Sequence, residues 1–385
     1  MYRLITLAIV LLTVPALTQG VEEELAPWTP GTLDIHQIAT GRGNAAFVQF
    51  PAGATLLIDA GDAGHVQYAD PLPNGSRPPG EWVARYVARM MRGRDAHLDY
   101  VLLTHFHPDH VGGIARLGAL VPIGTIVDRG YDYLPPPASD RTFAGYRRFV
   151  DAQVNERGAK VVHARAGTAD QIVDGHSDPA FEVRVVAVND QVWTGEGAKT
   201  VTRFPALSTI TVVEDRPTEN MCSVALRIRY GRFDYFTGGD MPGYPVPGAP
   251  AWHDTETAVA RAIGATDAHM VNHHGSIEEE NLFWLATLRS RVMVVPAWSA
   301  THPSPDVLKR MLSTRVYPEP RDIFVTAFRQ ATKAAIGPRA MQVASDHGHV
   351  IIRVESGGAR YRVFVLDDTS QSYRIRSVHG PYESK

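Results

Sequence analysis

The stretch Thr104-His105-Phe106-His107-Pro108-Asp109-His110-Val111-Gly112-Gly113 carries three imidazoles and one carboxylate within six positions. His105 and His107, two apart on an extended turn, can point at one metal ion. Asp109 and His110 follow at an offset that serves a neighbouring ion. Neutral imidazole and carboxylate donors suit zinc, and manganese or iron accept the same ligand types. A solvated loop that is histidine-rich by chance does not require donors at this density, closed by a glycine pair.

Donors of this kind need a scaffold that holds them around one point. Residues 98–103 read as a short buried strand, so the donors fall where a strand gives way to a helix. Upstream, 33–61 reads as strand, turn, strand, turn, strand. Gly41-Arg42-Gly43-Asn44-Ala45-Ala46 formally fits a dinucleotide fingerprint. It precedes a strand where that fingerprint needs a helix, and so reads as a hairpin turn. Residues 81–93 place Trp82, Val83, Tyr86, Val87 and Met90 at helical spacing, leaving Arg85, Arg89 and Arg92 on a solvated face. Further helices are expected over 114–120, 143–157, 255–263, 281–288 and 306–312. Strands are expected over 123–127, 181–188, 222–230, 233–237 and 292–295, with a closing hairpin of 350–354 and 361–366.

The chain has 385 residues, 44% hydrophobic and 21% charged, which leaves room for a large core or two domains. A net charge of −3 excludes a global field that draws in nucleic acid, though not a local basic groove. Arg3, the apolar run 4–12 and the small residues that follow read as a signal peptide over 1–20. That run falls short of the ~20 residues that span a bilayer. Cys222 is the sole cysteine, so no intramolecular disulfide is expected. The expectation is an exported protein, periplasmic or secreted and not inserted in the membrane. Its single domain covers 21–385, with an insertion at 128–178 beside the substrate.

The His-x-His-x-Asp-His pattern after a strand resembles the signature of the metallo-β-lactamase superfamily. Within it the chain is most similar to the hydrolase domain of bacterial competence DNA-uptake proteins and their secreted stand-alone relatives, over roughly 33–366. The resemblance implies an α/β fold, the four-layer αββα sandwich, and a pair of divalent metal ions, Zn2+ first and Mn2+ as the alternative. His105 and His107 would hold the first ion, and Asp109, His110 and His273 the second, with Asp240 bridging both. His273 is favoured over His274 within His273-His274-Gly275-Ser276, and the reverse stays open. Asp59 would support the metal loop, while Asp109 orients the nucleophile and His302 of His302-Pro303 faces the substrate. Superfamily members generally add one more histidine to the first ion, where this chain reads Glu219-Asn220-Met221-Cys222-Ser223. Cys222 is read as core. His163, His176, His269, His347 and His349 are given no ligand role.

Two such ions would bring the pKa of a shared water from ~15.7 towards ~7, giving a hydroxide nucleophile. The expected function is a metal-dependent hydrolase acting on a phosphodiester, either a small molecule or nucleic acid. Hydrolysis of a lactone or β-lactam is the rival, and a non-catalytic metal-binding protein the third reading.

Overall fold

The computed structural model describes residues 19–64, 69–175 and 179–385. The signal-peptide segment, apart from its last two residues, and His176 therefore lie outside the described residues. The strands are β1 (Leu33–Gln37), β2 (Ala46–Gln49), β3 (Thr55–Ile58), β4 (Leu98–Leu102), β5 (Ile123–Asp128), β6 (Lys160–His163), β7 (Phe181–Val188), β8 (Gln191–Trp193), β9 (Thr200–Thr202), β10 (Ala225–Tyr230), β11 (Phe233–Thr237), β12 (Ala268–Met270), β13 (Val292–Val295), β14 (Asp322–Val325), β15 (His349–Val354), β16 (Arg360–Leu366) and β17 (Ile375–Glu383). Among the described residues they form two sheets, ordered β17-β16-β15-β1-β2-β3-β4-β5-β6 and β14-β13-β12-β11-β10-β7-β8-β9.

Side-chain alternation along the strands explains why two sheets stack. In β3, Leu56 and Ile58 enter the cluster between the sheets while Leu57 points to the outer face. In β13, Val292 and Val294 point inward, and Met293 and Val295 outward. Each outer face is covered by helices that cross between parallel strands. Pro79–Met90, Ile114–Leu120 and Arg141–Arg157 link β3 through β6 on one side. Glu256–Ile263, Leu282–Leu288 and Pro305–Met311 link β11 through β14 on the other. The result is the expected helix–sheet–sheet–helix layering, in which the loops leaving each run of parallel strands gather at one end.

The structure differs from the sequence reading at several points. Segment 128–178 is not simply an insertion, since Arg141–Arg157 and β6 extend the first sheet parallel to β5. β10 begins only at Ala225 because Asn220–Cys222 coils into a 3-10 turn beside the metal loop. β14 and β17 were not anticipated, being respectively short and largely exposed. Arg89 and Arg92 are not merely solvated, since both pair with Glu24 of the N-terminal segment. No helix among the described residues is long and apolar enough to cross a membrane.

Candidate metal centre

The donor residues arrive from the C-terminal ends of parallel strands in both sheets. After β4, the Thr104 N–H donates to Asp59 Oδ1 at 2.8 Å, and the Phe106 N–H to Glu219 Oε1 at 2.8 Å, so both sheets clamp the loop. The glycine pair is a packing requirement. A Cβ on Gly113 would lie 2.2 Å from the Ala60 carbonyl oxygen, and one on Gly112 2.3 Å from that of Asp62. After β11, Gly239 (φ +58) turns the chain so closely past Thr104 and Ser223 that any Cβ would meet them within about 3 Å. Asp240 thereby swings into the site, its N–H donating to Ser223 Oγ at 3.3 Å.

Two groups of donors result. His105, His107 and Asp240 form one, with His105 Nε2 3.1 Å from His107 Nδ1 and 3.7 Å from Asp240 Oδ2. Asp109, His110, Asp240 and His274 form the other. There, His110 Nε2 lies 3.1 Å from Asp240 Oδ2, and His274 Nε2 lies 3.1 Å from Asp109 Oδ2. Asp240 belongs to both groups, so together they form a candidate di-metal site.

Outer partners orient the imidazoles, as they do in metal sites generally. Asp59, fully buried, holds His110 Nδ1 at 2.7 Å with Nε2 facing the site; burial opposes charge on this imidazole, but Asp240, Asp59 and Asp109 outweigh it and hold the ring well above its usual value. His110 Nε2 is buried without a hydrogen-bond partner. His274 Nδ1 is held by the Pro296 carbonyl at 3.0 Å, and Thr104 Oγ1 lies 3.1 Å from His105 Nδ1.

The electrostatics match a cation. Burial opposes ionisation of Asp240, but His110, His274, His273 and His105 outweigh it and hold the carboxyl well below its ordinary range. Asp109 is likewise lowered despite burial, by His110 and His274. Burial, reinforced by His110, pushes the His105 imidazole well below its usual value, keeping it neutral. Buried carboxylates, neutral imidazole and an unpartnered imidazole nitrogen form a donor set that fits divalent metal ions.

His274, the alternative the sequence left open beside the favoured His273, is the one of the pair that falls in the second group. Both residues adopt left-handed backbone (φ 45 and 59), and the Pro296 carbonyl, 22 positions away, fixes the His274 ring towards Asp109. His302 lies against the second group, stacked on His274 at 4.9 Å and 19°. The remaining histidines stay apart, with His163 on Asp128 and His269 on Ser290 and Glu280. His347 pairs with Asp346, and His349 accepts from the Ala39 N–H. Cys222 is fully buried.

Sequence reasoning missed three supporting residues. Buried Arg129 donates to both Glu219 oxygens, at 2.8 and 2.6 Å, and so steadies the carboxylate that holds the Phe106 N–H. Glu279, also buried, accepts from His273 Nδ1 at 2.8 Å. Ninety positions separate Arg129 from Glu219, and the left-handed turn at His273 and His274 lies between His273 and Glu279, so neither pair shows as a sequence pattern.

Residues 39–187 match the family model of the metallo-β-lactamase superfamily. A lactamase-like protein, aptB, of Emericella nidulans is 30% identical over 155 residues, covering 39% of this chain and 45% of that protein, so less than half of the relative's length is spanned. Among solved structures, a CmlA β-hydroxylase variant is 12% identical at a TM-score of 0.38, over 85% of this chain and 54% of that one. MEM-A1, a subclass B3 metallo-β-lactamase from a soil metagenome library, is 12% identical at 0.33, over 83% and 95%. The family match spans β1's exit to the end of β7 and includes His105, His107, Asp109 and His110, while Asp240 and His274 join them through the geometry above. Over residues 39–187 the chain is similar to the metallo-β-lactamase superfamily.

Proposed function

We propose that this protein is a metal-dependent hydrolase of phosphodiesters, small-molecule or nucleic-acid, and that it works after export. The observation that carries the hydrolase reading is the pair of donor groups sharing Asp240. When bound at such a site, divalent ions make water a nucleophile at neutral pH and stabilise charge developing on the attacked centre.

The chain's own residues supply the rest. His105 and His107 would hold one ion, Asp109, His110 and His274 the other, and Asp240 both. The Asp109 carboxylate, kept anionic, can also accept a proton from an incoming water and so orient it. His302 Nδ1 accepts the Ser299 N–H at 3.3 Å, which puts the ring proton on Nε2 as a donor for a substrate or leaving-group oxygen. The phosphodiester assignment, and with it kinship to competence-type DNA-uptake proteins, is supported by the His273-His274-Gly275-Ser276 and His302-Pro303 motifs. Export is supported by the composition of residues 1–20.

The test is a substrate panel on the mature chain loaded with Zn2+ or Mn2+. Turnover of a bis-aryl phosphate ester is expected. Turnover of a lactone or β-lactam with no phosphodiester cleavage would replace the substrate assignment, and no turnover of any panel member would end the hydrolase reading.

A further inference from the structure

The imidazole left over from the two donor groups is that of His273, and it bears the marks of a ligand. Its Nε2 lies 3.7 Å from Asp240 Oδ2, the same distance as His105 Nε2 and His274 Nε2. Its Nδ1 lies 2.8 Å from Glu279 Oε1, a carboxylate buried to zero exposure whose second oxygen has no hydrogen-bond partner. A carboxylate on the far nitrogen is how proteins aim a metal-binding imidazole. The Asn220 side-chain amide nitrogen lies 3.4 Å from Nε2.

The backbone is arranged for the same end. Successive side chains normally diverge, but His273 and His274 both occupy the left-handed region, where non-glycine residues persist only under constraint. The His273 N–H donates to the Gly239 carbonyl at 3.0 Å, just before Asp240, and Arg310 donates to the carbonyl oxygens of Glu279 and Glu280. These contacts hold both rings on Asp240, with centroids 6.1 Å apart.

The side of Asp240 that His273 occupies identifies its ion. His274 packs on His110 and His302, in and beside the second group. His273 faces Asn220, whose neighbour Glu219 grips the Phe106 N–H between His105 and His107. Resting on the two-ion reading of the site, we propose that His273, aimed by Glu279, is a further ligand of the first ion, so that the adjacent histidines serve one ion each. The first group then gains a third imidazole, supplied from the β12 loop.

Metal stoichiometry and affinity test this directly, without turnover. The metal-free full chain is titrated with Zn2+ against a chromophoric chelator, with the Co2+ absorption spectrum as a second reading. Wild type should take up two ions. His273→Ala should keep one and bind the other at least 100-fold more weakly, with a changed Co2+ spectrum, and Glu279→Gln should weaken the same ion about 10-fold. His107→Ala combined with His273→Ala should still keep one ion, because both act on the same site, whereas His274→Ala combined with His273→Ala should keep neither. His273→Gln, which preserves volume, repeats the reading if the alanine variant unfolds. Two ions held with unchanged affinity in His273→Ala, loss of both in the His107/His273 double variant, or uptake of a single ion by wild type would each overturn the assignment. A wild type that holds two ions and turns over no member of the substrate panel would instead end the hydrolase reading and leave this one standing.

Discussion

Asp59→Asn is the most discriminating single change available at the site, because it alters a hydrogen-bonding pattern without altering volume. Asp59 Oδ1 accepts the Thr104 N–H at 2.8 Å, while Oδ2 accepts from Asn44 Nδ2 at 2.9 Å, Thr104 Oγ1 at 2.9 Å and His110 Nδ1 at 2.7 Å. An asparagine that keeps its oxygen on the Thr104 N–H must present an NH2 where three donors now converge. His110 can relieve this only by moving its proton to Nε2, the nitrogen that faces Asp240 at 3.1 Å, and a protonated nitrogen cannot ligate. Loss of such an outer partner weakens metal affinity by about 10–100-fold, or roughly 1.4–2.8 kcal/mol. The metal-free protein should lose a further ~1–3 kcal/mol from the mismatched donors. Chelator competition measures the first quantity, and chemical denaturation in excess chelator the second. Asp59→Asn binding within about 3-fold of wild type would refute the role of Asp59 in fixing the His110 tautomer.

Three other outcomes are expected. Asp240→Asn removes the charge common to both donor groups and should lower turnover about 10³-fold or more, with loss of bound metal on elemental analysis; retention of both ions and of activity would contradict the shared-carboxylate reading. His302→Ala should leave metal content unchanged and reduce kcat about 10²–10⁴-fold, and an unaltered kcat removes His302 from the proton inventory. Away from the site, burial opposes ionisation of Asp34, but the Arg353 guanidinium, bonded at 2.6 and 2.8 Å, together with His36, holds its carboxyl at about 2. A folded value below the unfolded one stabilises the protein above about pH 4, and this contribution of roughly 2 kcal/mol is lost as pH falls through about 2. Asp34→Asn should therefore flatten acid unfolding across that window, and an unchanged acid limb would refute it.

What the sequence revealed and what it concealed follow from the range of the interactions involved. His105, His107, Asp109 and His110 are legible because one loop sets their geometry, and Asp240 because it ends an apolar strand after a glycine pair, of which Gly239 clears Thr104 and Ser223 and Gly238 clears Asn272 and Met241. The frame is legible where short apolar runs are bounded by turns, as in β3 and β13, and is lost at β14, which is only four residues long, and at β17, which is largely exposed. The choice between His273 and His274 is not local. It is made by the Pro296 carbonyl after β13 on one ring and by Glu279 on the other, across a turn whose left-handed backbone no propensity announces. Arg129 and Glu219 are invisible for the same reason, since ninety positions separate them.

The division of labour between frame and loops explains why such a site tolerates unusual ligands. Each helix-linked pair of parallel strands returns its loop to the same end of its sheet, so the exits of β4, β11, β12 and β13 meet whatever their detailed sequence. The position of the site is thus a property of the two sheets, and its metal donors a property of three short loops, after β4, β11 and β12. The loop after β5 shows the distinction, because it reaches the same end yet contributes Arg129, which supports the Glu219 clamp and carries no metal donor. A loop change that keeps the strand exits in place can move a ligand from one loop to another without disturbing the core. The β12 loop brings two imidazoles within 3.7 Å of Asp240 Oδ2 from consecutive residues, both held in left-handed backbone.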